Sequence, residues 1–151
     1  MTMNGLIERY KSFLDEGKTE RECVRRTIAL AEANGYRRLE SVESLKCGDK
    51  VYVEDYEKAI ALFHIGSEPM EKGMNILGAH IDSPRLDIKM NPLYESEGLV
   101  YLDTHYYGGI KKYQWVAMPL AIHGVVVKTT GEKINVVLGE EDDEFTFTIS
   151  D

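Results

Sequence analysis

The spacing of apolar residues changes along the chain, and this change strongly limits what the chain can fold into. Up to about residue 34, apolar residues recur every three or four positions, as they do on one face of an α-helix. From residue 50 onward they form short runs or alternate with polar residues, which is typical of β-strands. The pattern therefore predicts a pair of helices followed by several strands.

Local signals indicate where the two helices begin and end. Apolar residues at helical spacing occupy positions 6–14, and Gly17 is predicted to end this first helix. Thr19 and Glu22 match a capping box, in which the Thr19 hydroxyl accepts a hydrogen bond from the Glu22 amide and the Glu22 carboxylate reaches back. Asn34-Gly35 predicts a left-handed stop to the second helix. We interpret this helix pair as scaffold.

Short apolar runs bounded by turn residues predict strands through the rest of the chain. Residues 59–66 are almost continuously apolar, which is typical of a central strand. Residues 86–90 alternate between apolar and charged, which is typical of a half-buried strand, and Asn91-Pro92 is predicted to break it. The closely spaced strands after this point favour an all-β unit. The further predicted strands are residues 50–53, 76–79, 99–104, 115–118, 121–128, 133–138 and 145–149.

The stretch from Asn75 to Asp87 carries the side chains best suited to chemistry. His80 and Asp82 follow a short apolar run at the predicted carboxyl end of a buried strand, where open α/β sheets place their sites. In a strand, residues two apart point to one side, so the pair can face the same cleft. His80 offers an imidazole to a metal, and Asp82 can hold that imidazole in one tautomer. The alternative is a structural histidine at a strand end, followed by an aspartate that caps the turn at Ser83-Pro84.

Composition excludes some classes of partner. The formal net charge is −8 and there is no basic stripe, which argues against nucleic acid and anionic membrane as partners. No signal peptide precedes the first helix, and no apolar run approaches membrane-spanning length. Cys23 and Cys47 are expected to be free thiols in a reducing cytosol, and neither has neighbours at zinc-site spacing. A cytoplasmic protein is therefore expected.

Two other motifs are interpreted as structural. The acidic run at residues 140–144 lacks the alternating ligand positions and the glycine bend of a calcium loop, so it is predicted to be a solvated hairpin tip. Gly108-Gly109 lacks the further glycine, lysine and serine of a phosphate-binding loop.

The stretch from Gly78 to Leu86 resembles the first metal-ligand motif of the M18 family of metallo-aminopeptidases, which includes aspartyl aminopeptidase. The resemblance continues downstream and covers essentially the whole chain. The supporting matches are Tyr107-Gly108-Gly109, Trp115, Pro119-Leu120 and the run from Gly124 to Lys128.

This resemblance implies a fold, a reaction and two site residues. It implies the start of an α/β/α zinc-peptidase domain at residues 1–91, followed by the first part of an inserted β-rich domain at residues 92–151 through which copies form homo-oligomers. His80 matches the histidine that binds one ion of a two-metal centre, usually Zn²⁺, with Mn²⁺ or Co²⁺ as alternatives. Asp82 matches the acidic residue counted as catalytic. The implied reaction is release of N-terminal amino acids from peptide substrates.

The sequence departs from the family in two ways. Residues 116–120 replace an acidic and basic cluster, which leaves the preferred N-terminal residue open. The family's remaining metal ligands and general base lie beyond the insertion, so a chain ending at Asp151 is expected to be the N-terminal portion of the enzyme and inactive alone. The alternative is a truncated, non-catalytic module for assembly or interaction.

Overall fold

The computed structural model describes residues 3–140 and 145–150, and the chain divides into two compact units, Met1–Asp82 and Ser83–Asp151. The first unit has helices followed by strands, as the change in apolar spacing predicts, whereas the second unit contains strands and one short helix that the sequence did not predict. No helix in the described ranges has both the length and the apolar character needed to cross a bilayer. Residues 141–144 of the predicted acidic hairpin tip lie outside the described residues.

The first unit begins with two helices, α1 at Met3–Glu16 and α2 at Glu20–Ala33. The predicted capping box is confirmed: the Glu22 amide donates to Thr19 Oγ1 at 3.3 Å, and the Thr19 amide donates to Glu22 Oε2 at 2.9 Å. Two of the amides that a helix start leaves without a partner are satisfied in this way. The stop after α2 is also confirmed, since Gly35 adopts the left-handed φ of 86°.

A three-stranded sheet follows the helices, in the order β1-β2-β3. The strands are β1 at Arg37–Arg38, β2 at Lys50–Asp55 and β3 at Ala59–His64, and short 3₁₀ turns lie at Leu39–Ser41 and Met70–Lys72. Strands β2 and β3 are antiparallel and meet at Tyr56-Glu57, where both φ angles are positive. This is the geometry of the tight hairpin turn whose twist matches that of its strands.

The buried side chains of the first unit belong to α2 and β2. Cys23, Val24 and Ala31 from the helix and Val51 and Tyr52 from the strand are buried. The prediction that residues 59–66 form the central strand is wrong: β2 is central, and β3 is an exposed edge strand of the described sheet. A continuous apolar run predicts a strand, but its place in the sheet depends on which other strands pair with it.

The prediction of a buried strand at residues 76–79 is also wrong in this structure. Residues 73–84 are irregular and residues 73–80 are exposed, and the side chain of Leu77 is 100% accessible to solvent. Burial of a short strand requires a neighbour on each side and a covered face, and no described strand pairs with this segment.

The second unit begins with a long hairpin of β4 at Arg85–Ser96 and β5 at Leu99–Tyr107. Residues Glu97 and Gly98, both with positive φ, form its turn. The predicted break at Asn91-Pro92 is wrong, because β4 continues through it with a shift in register between Ile88 and Leu93. A bulge accommodates a proline that cannot donate to the strand ladder. The assignment of residues 1–91 and 92–151 to two domains stays a prediction.

The rest of the second unit contains the short helix α3 at Lys112–Trp115 and a second antiparallel hairpin, β6 at Ile122–Val127 and β7 at Lys133–Leu138. Two strand predictions are wrong here. Residues 115–118 are the last residue of α3 and the turn after it, and residues 145–149 contribute one isolated bridge, between Phe147 and Leu120. Segments this short take their conformation from neighbours outside the segment as much as from their own residues.

Candidate metal-binding site

His80 and Asp82 lie in the extended segment that leads to β4. The chain leaves the turn at Met70–Lys72 through Gly73, whose φ of 102° favours glycine, and stays irregular until Arg85. Pro84 restricts Ser83 to extended backbone, which is why no helical turn forms at this point. The first unit therefore ends in an irregular segment that carries both predicted site residues.

The two side chains contact each other through one nitrogen of the imidazole. His80 Nδ1 lies 3.0 Å from the backbone oxygen of Asp82 and 3.3 Å from its carboxylate oxygen Oδ1. With two oxygen acceptors on Nδ1, the tautomer that carries its proton there is favoured. In that tautomer the lone pair is on Nε2, so Nε2 is the nitrogen that can bind a metal.

The imidazole is accessible and its partner is partly covered. The side chain of His80 is 85% exposed, and that of Asp82 is 37% exposed. Water screens an ion pair of this exposure, so the contact contributes little to folding stability. Its effect is on the orientation of the ring.

The structure thus brings together the two residues that the sequence singled out, although it does so on an irregular segment rather than on a buried strand. The spacing of two residues is enough for the contact, because the backbone oxygen of Asp82 and its carboxylate reach the same ring nitrogen. The roles of His80 as a metal ligand and Asp82 as a catalytic residue stay predictions.

One imidazole is not a complete zinc site. Catalytic zinc has at least three protein ligands, and the described ranges contain no group of three His, Cys, Asp or Glu side chains arranged to hold an ion. His80 can therefore supply one ligand of a larger centre, with Asp82 orienting it.

Sequence reasoning missed a group of contacts immediately after the pair, within the second unit. Arg85 Nε donates to Asp87 Oδ1 at 2.7 Å, and the Arg85 guanidinium lies 4.2 Å from the centroid of the Tyr107 ring. A Cβ on Gly108, which has a φ of 74°, would lie 3.4 Å from Pro84 Cα. These contacts hold the beginning of β4 against the end of β5. The signal in the sequence was the aromatic pair followed by two glycines.

Comparison with protein families extends the local similarity to most of the chain. A sequence model of the M18 family, described as aminopeptidase I zinc metalloproteases, matches residues 13–146. The probable M18 family aminopeptidase 1 of Clostridium acetobutylicum is 56% identical over 150 residues. That alignment covers 97% of this chain and 32% of the relative, so the chain spans about a third of the length of the curated relatives it matches.

Solved structures of M18 aminopeptidases have the same fold over this region. The M18 aminopeptidase of Thermotoga maritima matches with a TM-score of 0.90 and 40% identity, over 98% of this chain and 33% of that one. Aminopeptidase I of Borrelia burgdorferi B31 matches with a TM-score of 0.89 and 39% identity, over 98% of this chain and 37% of that one. The predicted fold class is confirmed by these matches.

Proposed function

Because this chain belongs to the M18 family of aminopeptidase I zinc metalloproteases, we propose that it forms part of a metal-dependent aminopeptidase that releases N-terminal amino acids from peptides. In this proposal His80 is one metal ligand, and Asp82 is the carboxylate behind it. We also propose that residues 1–91 are the start of a catalytic domain and that residues 92–151 are the first part of an inserted β-rich domain, which places this boundary within β4.

The observation that carries the proposal is the contact of Asp82 with a single nitrogen of His80. A carboxylate near the Nδ1 proton fixes the tautomer and the orientation of the ring, which is how histidine ligands of metals are commonly supported. A histidine held in this way loses less freedom when it binds an ion than an unconstrained one. The accessible ring is also consistent with ligands arriving from elsewhere in a longer protein.

The donor chemistry fits zinc as one member of a two-metal centre. An imidazole nitrogen suits Zn²⁺ and also Co²⁺ or Mn²⁺. Ions held about 3.5–4 Å apart would polarise the peptide carbonyl and activate a water. The contribution of this chain is to hold one imidazole in the correct tautomer. The remaining ligands and the general base are assigned to the rest of the full-length protein, and the 151 residues alone are expected to be inactive.

We further propose that the β-rich part mediates homo-oligomer formation. Met90, Leu93, Leu99 and Val100 of the β4–β5 hairpin are strongly exposed, and exposed apolar side chains on one hairpin are typical of an association surface. A cytoplasmic location is supported by Cys23 and Cys47, which are unbridged.

The alternative function is a non-catalytic assembly module, and the same exposed hairpin favours it. The two functions make different predictions for the full-length protein. An aminopeptidase contains bound metal and releases N-terminal residues. An assembly module self-associates but has neither bound metal nor peptidase activity.

The test is substitution of His80 in the full-length protein. His80→Gln should remove about one bound ion per subunit and abolish most peptide turnover, because the ligand nitrogen is lost. His64→Gln is the matched control, since His64 is exposed on β3 and has no assigned role. Metal content by mass spectrometry and release of N-terminal residues are measured together. Unchanged metal content and turnover in His80→Gln would refute the assignment.

Substitution of Asp82 tests the orienting role separately. Asp82→Asn should lower metal affinity or turnover by about 10- to 100-fold while leaving the circular dichroism spectrum unchanged. An Asp82→Asn protein with full activity would remove Asp82 from the site without affecting the assignment of His80.

A further inference from the structure

An open-sided cavity of about 410 Å³ lies within the second unit, on one face of the β4–β5 hairpin. Its lining is mostly apolar, and four of the lining residues, Tyr106, Lys112, Tyr113 and Val116, are exposed. It is lined by Leu86, Thr104, Tyr106, Ile110, Lys112, Tyr113, Val116 and Ile149.

The register of the hairpin and the short helix α3 create this cavity. Leu86 of β4 lies opposite Tyr106 of β5, and Thr104 is two residues before Tyr106, so the three share one face of the hairpin. After Gly108-Gly109 the chain returns over this face through Ile110 and α3. The residues that define the cavity are therefore set by backbone pairing and by the following turn.

Lys112 supplies the positive charge of the cavity. Its ammonium lies 4.7 Å from the centroid of the Tyr106 ring, and among the described residues the lining contains no Asp or Glu. Lys112 is exposed, so its ammonium is accessible to an anion that arrives from water. A carboxylate can form a charge-assisted hydrogen bond with this ammonium.

We propose that this cavity binds a small monocarboxylate with an apolar body. The carboxylate pairs with the Lys112 ammonium, and the body lies against Leu86, Ile110 and Val116. Inorganic anions are expected to be poorer ligands, because they have no apolar body to cover the apolar part of the lining. This site is independent of the metal site proposed at His80, and either assignment can fail without the other.

Trp115 provides a direct probe, because it is the single tryptophan of the chain and lies on α3 between two lining residues. The chain is titrated with 4-phenylbutyrate and with 4-phenylbutan-1-ol, which has the same body without the charge. The acid should give a saturable change in fluorescence and bind about threefold to tenfold more tightly than the alcohol, as expected for one partly exposed ion pair. No saturation, or equal affinities, would overturn the proposal.

A pair of lysine variants tests the position of the charge. Lys112→Met keeps an aliphatic side chain but removes the ammonium, so it should lower the affinity for the acid to that for the alcohol. Lys111→Met removes the neighbouring charge and should bind the acid as the unmodified chain does. An equal loss in both variants would show a general charge effect and overturn the assignment to Lys112.

Two further measurements locate the ligand and identify a competing occupant. Methyl NMR signals of Leu86, Ile110, Val116 and Ile149 should shift on addition of the acid; shifts confined to other residues would contradict the proposal. Sedimentation velocity should show the same species with and without ligand. Dissociation of a dimer by the acid would instead show that a second copy of the chain occupies the cavity.

Discussion

The two compact units of this chain differ in how much they bury. All the described side chains that are buried belong to the first unit, on α2 and β2, and the Tyr52 hydroxyl of β2 donates to Glu32 of α2. In the second unit, apolar residues such as Met90 and Val100 stay exposed on the β4–β5 hairpin. Hairpins of two strands are well defined by their turns but marginally stable without a covered face. The stability of the first unit should therefore depend on individual core residues, whereas single substitutions in the second unit should change its stability little.

The largest expected effect is at Tyr52, the most voluminous of the fully buried side chains. Tyr52→Ala should lower the free energy of unfolding of the first unit by about 3–5 kcal/mol, because it leaves a cavity beside α2. Tyr94→Ala is the matched change in the second unit, where Tyr94 stacks on Tyr101 at 5.2 Å in an exposed position. It should cost about 1 kcal/mol or less. Urea unfolding followed by circular dichroism measures both, and equal costs would break the comparison.

The next largest effect on stability is expected at Gly17, which is packed into the first unit. A Cβ on Gly17 would lie 2.9 Å from both Cys23 Sγ and the backbone oxygen of Phe13, so Gly17→Ala should destabilise by about 1–3 kcal/mol. Gly124 of β6 has no atom within 4 Å of the corresponding position. Gly124→Ala should therefore be neutral or slightly stabilising. Thermal unfolding of the two variants checks this, and a destabilised Gly124→Ala with an unaffected Gly17→Ala would reverse the comparison.

The capping box at the start of α2 contributes less to the free energy of unfolding. Thr19→Ala removes the acceptor for the Glu22 amide and should cost about 1 kcal/mol. Thr129→Ala, in the exposed turn between β6 and β7, should change stability by less than about 0.5 kcal/mol. The midpoints of urea unfolding compare the two variants. A Thr19→Ala midpoint equal to that of the unmodified chain would show that the cap is not needed.

The pH dependence of the first unit is the smallest of these effects. The Tyr52 hydroxyl donates to Glu32 Oε1 at 2.7 Å, and this hydrogen bond, together with burial, raises the pKa of Tyr52 above 10.0. The folded state therefore keeps this proton more firmly than the unfolded state. Its contribution is full below the unfolded pKa of about 10 and is lost as the pH rises through the folded value.

Tyr52→Phe should remove this part of the alkaline loss of stability, whereas Tyr94→Phe should leave it unchanged. Urea midpoints between neutral and strongly alkaline pH measure the difference. An identical alkaline slope in Tyr52→Phe and the unmodified chain would exclude Tyr52 as the titrating group.

Predictions from the sequence succeeded where the cause was local. The capping box of α2, the left-handed Gly35 and the membership of the M18 family were all predicted from short motifs. Predictions of strand position failed because they need information from distant residues. Residues 59–66 form an edge strand, and the segment with Leu77 is exposed, since apolar composition does not say which strands pair or what covers them.

The candidate site divides in the same way. By itself the sequence determined the contact between His80 and Asp82, because two residues so close along an extended chain need no other element to meet. It also determined the ends of α2, at Thr19 and Gly35, since capping and φ preferences act within a few residues. Only the tertiary structure decided that β2 is the buried strand, that Asn91-Pro92 lies within β4, and that Lys112 faces a cavity beside Tyr106. Burial and cavities depend on which distant segments pack together, and no local pattern specifies that.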